Sequence, residues 1–376
     1  MLHRVLNHAG GAAVVGSVLA LRHDLVHRFE LRVTGPRRPH VLTLHDLPPA
    51  RFPDEGSLPA WCMTPLRDDV QVICPSEFAA SEVTELLGAR QVTVIPYGVR
   101  PSFRQPRPLP TQDLRDLGVT RPFFVHAAGV TRRKNLEGLA EAWAKASSQL
   151  PDHELVLLGP PHGRREQLFG HLPRVVLPGK VDLDRVGQVM AAAEAVVVPS
   201  IYEGFGLPTL EGMAVGTPVV AVDRGATPEV AQGNALMTEP DGSSIAGALI
   251  AVGRREVDRD DLVRRGLAGA STFAWDTAAR AHLDVYRKVV GCPAASSPGG
   301  SGLRPVPSTP HAEAWRSSPS SWPVSTSPVG TTSPWSCTAT PRTCRRPTSS
   351  RASRSGASTS PCPGPIRDDW RPSPSP

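Results

Sequence analysis

Pro199-Ser200-Ile201-Tyr202-Glu203-Gly204-Phe205-Gly206-Leu207-Pro208-Thr209-Leu210-Glu211 reads as the turn from a buried strand into a helix. The run before it, Ala195-Val196-Val197-Val198, is short, mostly β-branched and stopped by proline, as a strand of a covered sheet would be. Gly204 and Gly206 free the backbone for tight turning and for close approach of a ligand. Pro208 suits the first position of a helix, where its missing N–H costs nothing. Strand, glycine loop and helix start in that order aim free N–H groups and a positive dipole end at one place, which favours an anion. Two carboxylates bracket the loop: Glu203 before it and Glu211, expected in the helix's first turn.

Outward from this stretch the chain alternates strands and helices. Phe123–Ala127, Glu154–Leu158, Val175–Leu177, Ala195–Val198 and Pro218–Val222 read as strands. Between them lie helical patterns at Leu136–Leu150, Arg164–His171, Asp184–Ala193 and Thr209–Val215, and three more follow at Ser243–Val252, Asp260–Ala270 and Asp276–Val290. That rhythm implies a parallel sheet covered on both faces, with ligands beyond the carboxyl ends of its strands. Gly129-Val130-Thr131-Arg132-Arg133-Lys134-Asn135 follows another such strand end. Three basic side chains at a helix start oppose the macrodipole unless an anion receives them.

The first 110 residues hold fewer elements. Val41–Leu44 leads into His45-Asp46-Leu47, and Val70–Cys74 into Pro75-Ser76, with Ser76 as N-cap of a helix Glu77–Leu87. A third strand, Gln91–Ile95, ends at Pro96-Tyr97-Gly98-Val99, and four prolines between Pro101 and Pro110 read as an interdomain linker. Residues 1–110 are thus expected to form a first, shortened domain and 111–290 a second.

Residues 291–376 differ in kind: 17 prolines and 20 serines, with no Phe and no Lys, predict disorder. An out-of-frame stretch of an arginine-rich gene would have the same composition. Nine arginines against three acids there account for the whole net charge of +6, so the remaining chain is neutral. Nucleic acid is therefore not an expected partner. Six scattered cysteines without a C-x-x-C pair argue against a disulfide framework or a cysteine metal site. No apolar run reaches the ~18 residues of a membrane span. The expected compartment is the cytoplasm, with peripheral contact at the inner face of a membrane left open.

Tyr202-Glu203-Gly204-Phe205-Gly206-Leu207-Pro208, Leu210-Glu211 and Gly216-Thr217-Pro218-Val219-Val220 resemble the nucleotide-sugar signature of family 4 glycosyltransferases of the GT-B fold. Arg133-Lys134-Asn135-Leu136, Thr227-Pro228-Glu229-Val230 and Phe273-Ala274-Trp275 with Tyr286 are similar to further motifs of that family. The resemblance implies two Rossmann-like α/β domains with parallel sheets. It also implies sugar transfer from a nucleoside diphosphate sugar to an acceptor hydroxyl with retention of configuration. Such an enzyme would be mannosyltransferase-like, act on a sugar or lipid-linked acceptor in polysaccharide or glycolipid biosynthesis, and use no cofactor or metal.

By the same resemblance Arg133 and Lys134 neutralise the departing diphosphate, Glu211 holds the ribose hydroxyls, and Glu203 and His45 lie near the donor sugar. Gly204, Phe205, Gly206 and Leu207 would offer backbone amides to the donor, and Val181, beside Lys180, would meet the base. For Glu203 three roles stay open: nucleophile, electrostatic stabiliser and hydroxyl ligand. Asp182-Leu183-Asp184 mimics a D-x-D metal motif but precedes an apolar-periodic helix, so N-capping is the expected role. Only 44 residues precede His45, fewer than the family's first domain occupies, with Gly10-Gly11 as a remnant of its glycine loop. A nucleotide-sugar-binding protein without turnover, or a nucleotide-sugar epimerase of the same fold, would carry the same donor motifs.

Overall fold

Two parallel sheets organise the chain in a computed structural model that describes residues 23–33, 35, 36 and 38–291. The glycine pair at 10–11 and the tail beyond Gly291 lie outside the described residues. Both sheets belong to one compact unit.

The first sheet has four strands in the order β1-β2-β3-β4: His27–Arg28, His40–Thr43, Val70–Cys74 and Gln91–Val94. Among the described residues its crossover α-helix is α1 (Glu77–Leu87), which follows β3, and the Ser76 hydroxyl caps it by accepting from the Ala79 N–H at 3.0 Å. Leu42, Val72 and Cys74 face Ala79, Val83 and Leu87 of α1 in one buried cluster. Alternate residues, Val41 and Ile73, point to the other face, as a strand's period of two requires. That face is covered by the last helix of the described chain, α10 (Trp275–Val290), through Ala278 and Val285. Polar contacts fasten it: the Tyr286 hydroxyl to His27 Nδ1 at 2.7 Å, and Lys288 Nζ donating to Gln71 Oε1 at 3.2 Å. The helix that covers this face comes from the far end of the described residues.

From β4 the chain runs through a 3-10 turn at Pro101–Phe103 and a short helix α2 (Thr111–Asp116) into the second sheet. The proline-rich linker is not a free tether: Phe103 and Leu109 are buried in the second sheet's core. That sheet has six strands: β5 (Phe123–Ala127), β6 (Glu154–Leu158), β7 (Val175–Gly179), β8 (Ala195–Val198), β9 (Val219–Val222) and β10 (Leu236–Thr238). They lie in the order β10-β9-β8-β5-β6-β7. Phe124, Leu155, Leu157, Val197 and Val220 pack on α3 (Leu136–Ala146) and α8 (Gly242–Gly253). The alternate set Phe123, Val125, Val156, Val196 and Val219 packs on the side of α5 (Leu183–Ala191) and α6 (Leu207–Ala214). Helices α4 (Gly163–Phe169), α7 (Thr227–Ala231) and α9 (Arg259–Ser271) complete the layers.

The order in which strands are added to the sheet reverses between β5 and β8, which run parallel and pair directly through Phe124–Ala195 and Val125–Val196. This is the topological switch point of a doubly wound sheet, where loops leave in opposite directions and open a crevice. The loops leaving β5 and β8 carry the basic motif and the glycine motif.

Three details depart from expectation. Helix α6 starts at Leu207, so Pro208 is its second residue and Glu211 sits in the second turn, beyond the reach of the dipole. Asp182 stands at the N-cap of α5, yet its side chain makes no capping hydrogen bond. Strand β10 and helices α2 and α7 are too short to show a period in sequence.

Candidate active site

Gly206 takes a left-handed conformation, φ 97°, at the N-cap of α6, which lets the loop from β8 turn into the helix. The glycine at 204 has a different reason. A Cβ there would fall on the carbonyl oxygen of His45 and within 2.5 Å of Asp46 Cβ, so the close approach is to the first sheet's own loop. The Ser76 hydroxyl, while capping α1, donates to the Gly204 carbonyl at 2.6 Å. The glycine loop is therefore stitched to the first sheet from both sides.

Beside it, the loop after β5 forms a 3-10 turn at Arg132–Lys134. Asn135, at φ 50°, then starts α3 and caps it by accepting from the Gly138 N–H at 3.2 Å. The Ile201 N–H donates to the Arg133 carbonyl at 2.8 Å, which ties the two loops together by main chain. Lys134 Nζ reaches Glu203 Oε1 at 2.7 Å, and both side chains are buried. Arg133 Nη1 lies 3.4 Å from Glu203 Oε2, and its Nε donates to Glu55 Oε1 of the first sheet's loops at 2.6 Å. Arg132 points out to solvent, so of the two arginines it is Arg133 that faces inward.

Beneath this cluster His126 is buried in β5. Its Nδ1–H donates to the Val197 carbonyl at 2.9 Å, and burial lowers its pKa to about 4, so the ring is neutral. Arg165 is buried as well and donates to the carbonyls of Ala128 and Pro160 at 2.5 and 2.6 Å, bracing the loop that carries Arg133.

Glu211 makes its ion pair outside this cluster, with Arg100. Burial raises its pKa to about 7, and Arg100 at 3.9 Å opposes that rise only weakly. His45 is exposed, with its Nδ1 hydrogen bonded to the Tyr97 hydroxyl. Tyr97 in turn packs edge-on against Phe205, ring centroids 5.0 Å apart, and stacks on Trp275 at 5.7 Å. Val181 is half-buried against the core cluster of the second sheet and Lys180 is exposed. Among the described residues no group of three or more His, Cys, Asp or Glu is arranged to hold a metal ion.

Sequence reasoning missed most of what joins the two sheets. Tyr202 donates through its hydroxyl to the buried Glu82 carboxylate and accepts from the Leu47 N–H at 2.9 Å, with Phe52 and Phe78 edge-on to its ring. Arg51 closes this network on Glu82 at 2.9 Å. Glu229 accepts from the backbone N–H groups of Glu77 and Phe78 at 2.8 and 2.7 Å, capping a helix that belongs to the other sheet. Glu229 stood inside a recognised motif, but no local signal tied it to residue 77.

Two parallel sheets joined at the glycine loop, with cations at the switch point, fit the GT-B class, the fold of the similar solved structures. Residues 121–254 match the family model for glycosyl transferases group 1. It is similar to the phosphatidyl-myo-inositol mannosyltransferase of Mycobacterium tuberculosis, 31% identical over 171 residues, covering 42% of this chain and 45% of the relative. Similarity to the alpha-maltose-1-phosphate synthase of Mycolicibacterium smegmatis runs over 294 residues at 29% identity, covering 67% of this chain and 73% of the relative. The structure of Anabaena HepE in complex with UDP-glucose aligns with a TM-score of 0.60 at 22% identity, covering 73% of this chain and 82% of that one. Against the first curated relatives the chain spans about half their length, 43%, 54% and 45%. No described helix is long and apolar enough to cross a membrane.

Proposed function

We propose that this protein transfers a hexose from a nucleoside diphosphate sugar to a hydroxyl of a sugar or lipid-linked acceptor, with retention of configuration and without a metal. The observation that carries this reading is the Lys134–Glu203–Arg133 cluster at the switch point, with Lys134 Nζ 2.7 Å from Glu203 Oε1. A departing diphosphate gains negative charge, so two preorganised cations beside it stabilise the transition state more than the ground state. The Gly204–Leu207 amides and the start of α6 add fixed positive potential.

The geometry favours one role for Glu203 over the others. Both its oxygens lie within ion-pair distance of Lys134 and Arg133, and a carboxylate so neutralised is a weak nucleophile. It acts as the anchor that holds the two cations in place until the diphosphate arrives. Glu211, paired with Arg100 at 3.9 Å and with neither of these cations, is placed to accept from a cis-diol, which fits a ribose. His45, exposed and held by Tyr97 at Nδ1, offers Nε2 to a sugar hydroxyl.

The names of the relatives point the same way. Mannosyl transfer to an inositol lipid and synthesis of maltose 1-phosphate are both hexose transfers, and HepE was seen with UDP-glucose. The test is a donor-hydrolysis and transfer assay on the wild type, Lys134→Ala and Glu211→Ala. Loss of turnover with Lys134→Ala and loss of donor affinity with Glu211→Ala are expected. Unchanged rates and affinities in both variants sink the reading.

A further inference from the structure

The cations that would receive a diphosphate already have partners. Arg133 Nε donates to Glu55 Oε1 at 2.6 Å, and the backbone N–H of Arg132 donates to Asp54 Oδ2 at 2.6 Å. Arg164 Nη1 lies 3.9 Å from that same Asp54 oxygen, and Lys134 is held by Glu203. Desolvation pushes the Glu55 carboxyl upward, but hydrogen bonds from Thr131 and Arg133 outweigh it and hold the group below its ordinary value. Asp46 lies close enough to interact with both Arg133 and Lys134. The side chains of Arg133, Lys134 and Arg164 thus meet the carboxyl groups of Asp46, Asp54, Glu55, Glu137 and Glu203. A site whose cations are already matched by carboxyl groups holds no surplus of positive charge for a dianion.

Asp54 and Glu55 lie on one short 3-10 turn, Pro53–Glu55, in the loop after β2. Phe52, edge-on to the Tyr202 ring at 5.5 Å, anchors the turn on one side. Gly56, at φ 92°, follows on the other and gives the backbone room to swing. Pro53, Asp54, Gly56 and Ser57 are exposed, so moving the turn outward uncovers little apolar surface. Glu203, by contrast, is buried and cannot leave.

We propose that Pro53–Glu55 is an acidic strap that occupies the diphosphate subsite and is displaced by the donor. The strap rests on the donor-site reading given above. In the free protein it neutralises Arg133 and keeps the β5 loop ordered. On donor entry the phosphate oxygens replace the carboxylates of Glu55 and Asp54, and the acidic turn moves into water. Because the turn belongs to the first sheet, which carries His45, displacement also reports donor occupancy to the half of the molecule expected to bind acceptor. Ligands without a phosphate group have no means of displacing it.

The test is calorimetric titration of the full chain with inorganic pyrophosphate, GDP, UDP and the nucleosides guanosine and uridine. Wild type is compared with Asp54→Asn/Glu55→Gln, and with Glu55→Asp, which keeps the charge but shortens the reach. The double variant is expected to bind pyrophosphate and its preferred nucleoside diphosphate about tenfold more tightly, with nucleoside binding unchanged. Glu55→Asp is expected to fall between the two. Unchanged or weaker pyrophosphate binding in the double variant overturns the strap and makes Glu55 a support for Arg133 instead. Tighter pyrophosphate binding with no preference for GDP or UDP over pyrophosphate upholds the strap and removes the nucleotide reading. Absence of binding by every phosphate ligand in every protein overturns both.

Discussion

Glu229, on the second sheet's side, accepts a hydrogen bond from the backbone N–H of Phe78 on the first at 2.7 Å, and a second one from Glu77 at 2.8 Å. The N-terminus of α1 is thus capped twice, locally by Ser76 and from across the molecule by a carboxylate. The second cap converts helix energy into a bond between sheets, since it is lost when they part. Substituting a cap residue costs about 1 kcal/mol, and the helix dipole adds to it. Glu229→Ala is expected to lower unfolding stability by about 1–2 kcal/mol, and Glu229→Gln by less because its carbonyl oxygen still accepts. Urea denaturation of the three proteins measures this; equal midpoints would mean that the cap contributes nothing.

Lys134 and Glu203 invite a different test, because function and stability are entangled there. Removing one partner of a buried pair leaves a stranded charge and costs about 3 kcal/mol. Arg133, 3.4 Å away, softens the loss for Lys134→Met. A double variant, Lys134→Met/Glu203→Gln, strands neither charge. It is expected to recover most of the stability lost in Lys134→Met while staying inactive. A double-mutant cycle by denaturation and turnover on the same samples separates the two effects. Recovery of activity along with stability would exclude Lys134 from the chemistry.

Glu211 makes a prediction about pH. Its folded pKa is about 7 because burial disfavours the charged form, against 4.5 for an ordinary glutamate. The folded state therefore holds its proton more tightly than the unfolded one. Stability is undiminished below about pH 4.5 and is lost as pH rises towards 7, by on the order of 3 kcal/mol in all. Glu211→Gln removes that slope and is expected to be more stable than wild type at pH 8. Donor affinity runs the opposite way. A diol acceptor must be ionised, so binding in the wild type strengthens as pH rises through 7, and the variant binds weakly throughout. Denaturation midpoints and calorimetry from pH 5 to 8 read both limbs.

What could be read from the chain alone follows from the range over which each signal acts. Val70–Cys74, Glu77–Leu87, Phe123–Ala127, Glu154–Leu158 and Ala195–Val198 have the boundaries expected, because β-branched runs and a serine cap carry their own local signal. Strand β10, three residues long, has no room for a pattern. The site divides in the same way. Arg133, Lys134 and Glu203 stood out because charge beside glycine at a strand end is unusual in itself. Glu55, Glu82, Tyr97 and Glu229 did not, because each matters through a partner brought near only by folding: Glu82 lies 120 residues from Tyr202, and Glu229 lies 151 from Phe78. The family motifs marked Glu229 as worth watching and gave no clue that it serves a helix on the other sheet. Glu211 falls one residue further into the helix than expected, just past the first turn, because the helix begins at Leu207 rather than at its proline.

The two glycines of the opening stretch separate backbone freedom from close approach. Gly206 has φ 97°, and a Cβ there meets only Thr227, at 3.6 Å or more. Gly206→Ala therefore introduces conformational strain of about 1–2 kcal/mol and no clash. Gly204 does not need an unusual φ, but its Cβ position is already taken by the His45 carbonyl and lies 2.5 Å from Asp46 Cβ. Both obstacles are on or next to main chain, which cannot rotate away. Gly204→Ala must push the glycine loop off the first sheet, break the Ser76–Gly204 hydrogen bond of 2.6 Å, and disturb the Tyr202 anchor two residues upstream. Its expected cost is about 3 kcal/mol, above that of Gly206→Ala. The order is diagnostic. If Gly206→Ala proved the more damaging of the two by denaturation, the loop would be limited by its turn, and the seating of the glycine motif against His45 would not be what holds the sheets together. If Gly204→Ala is worse and also loses turnover while Gly206→Ala keeps most of it, the contact between the sheets is part of the working site.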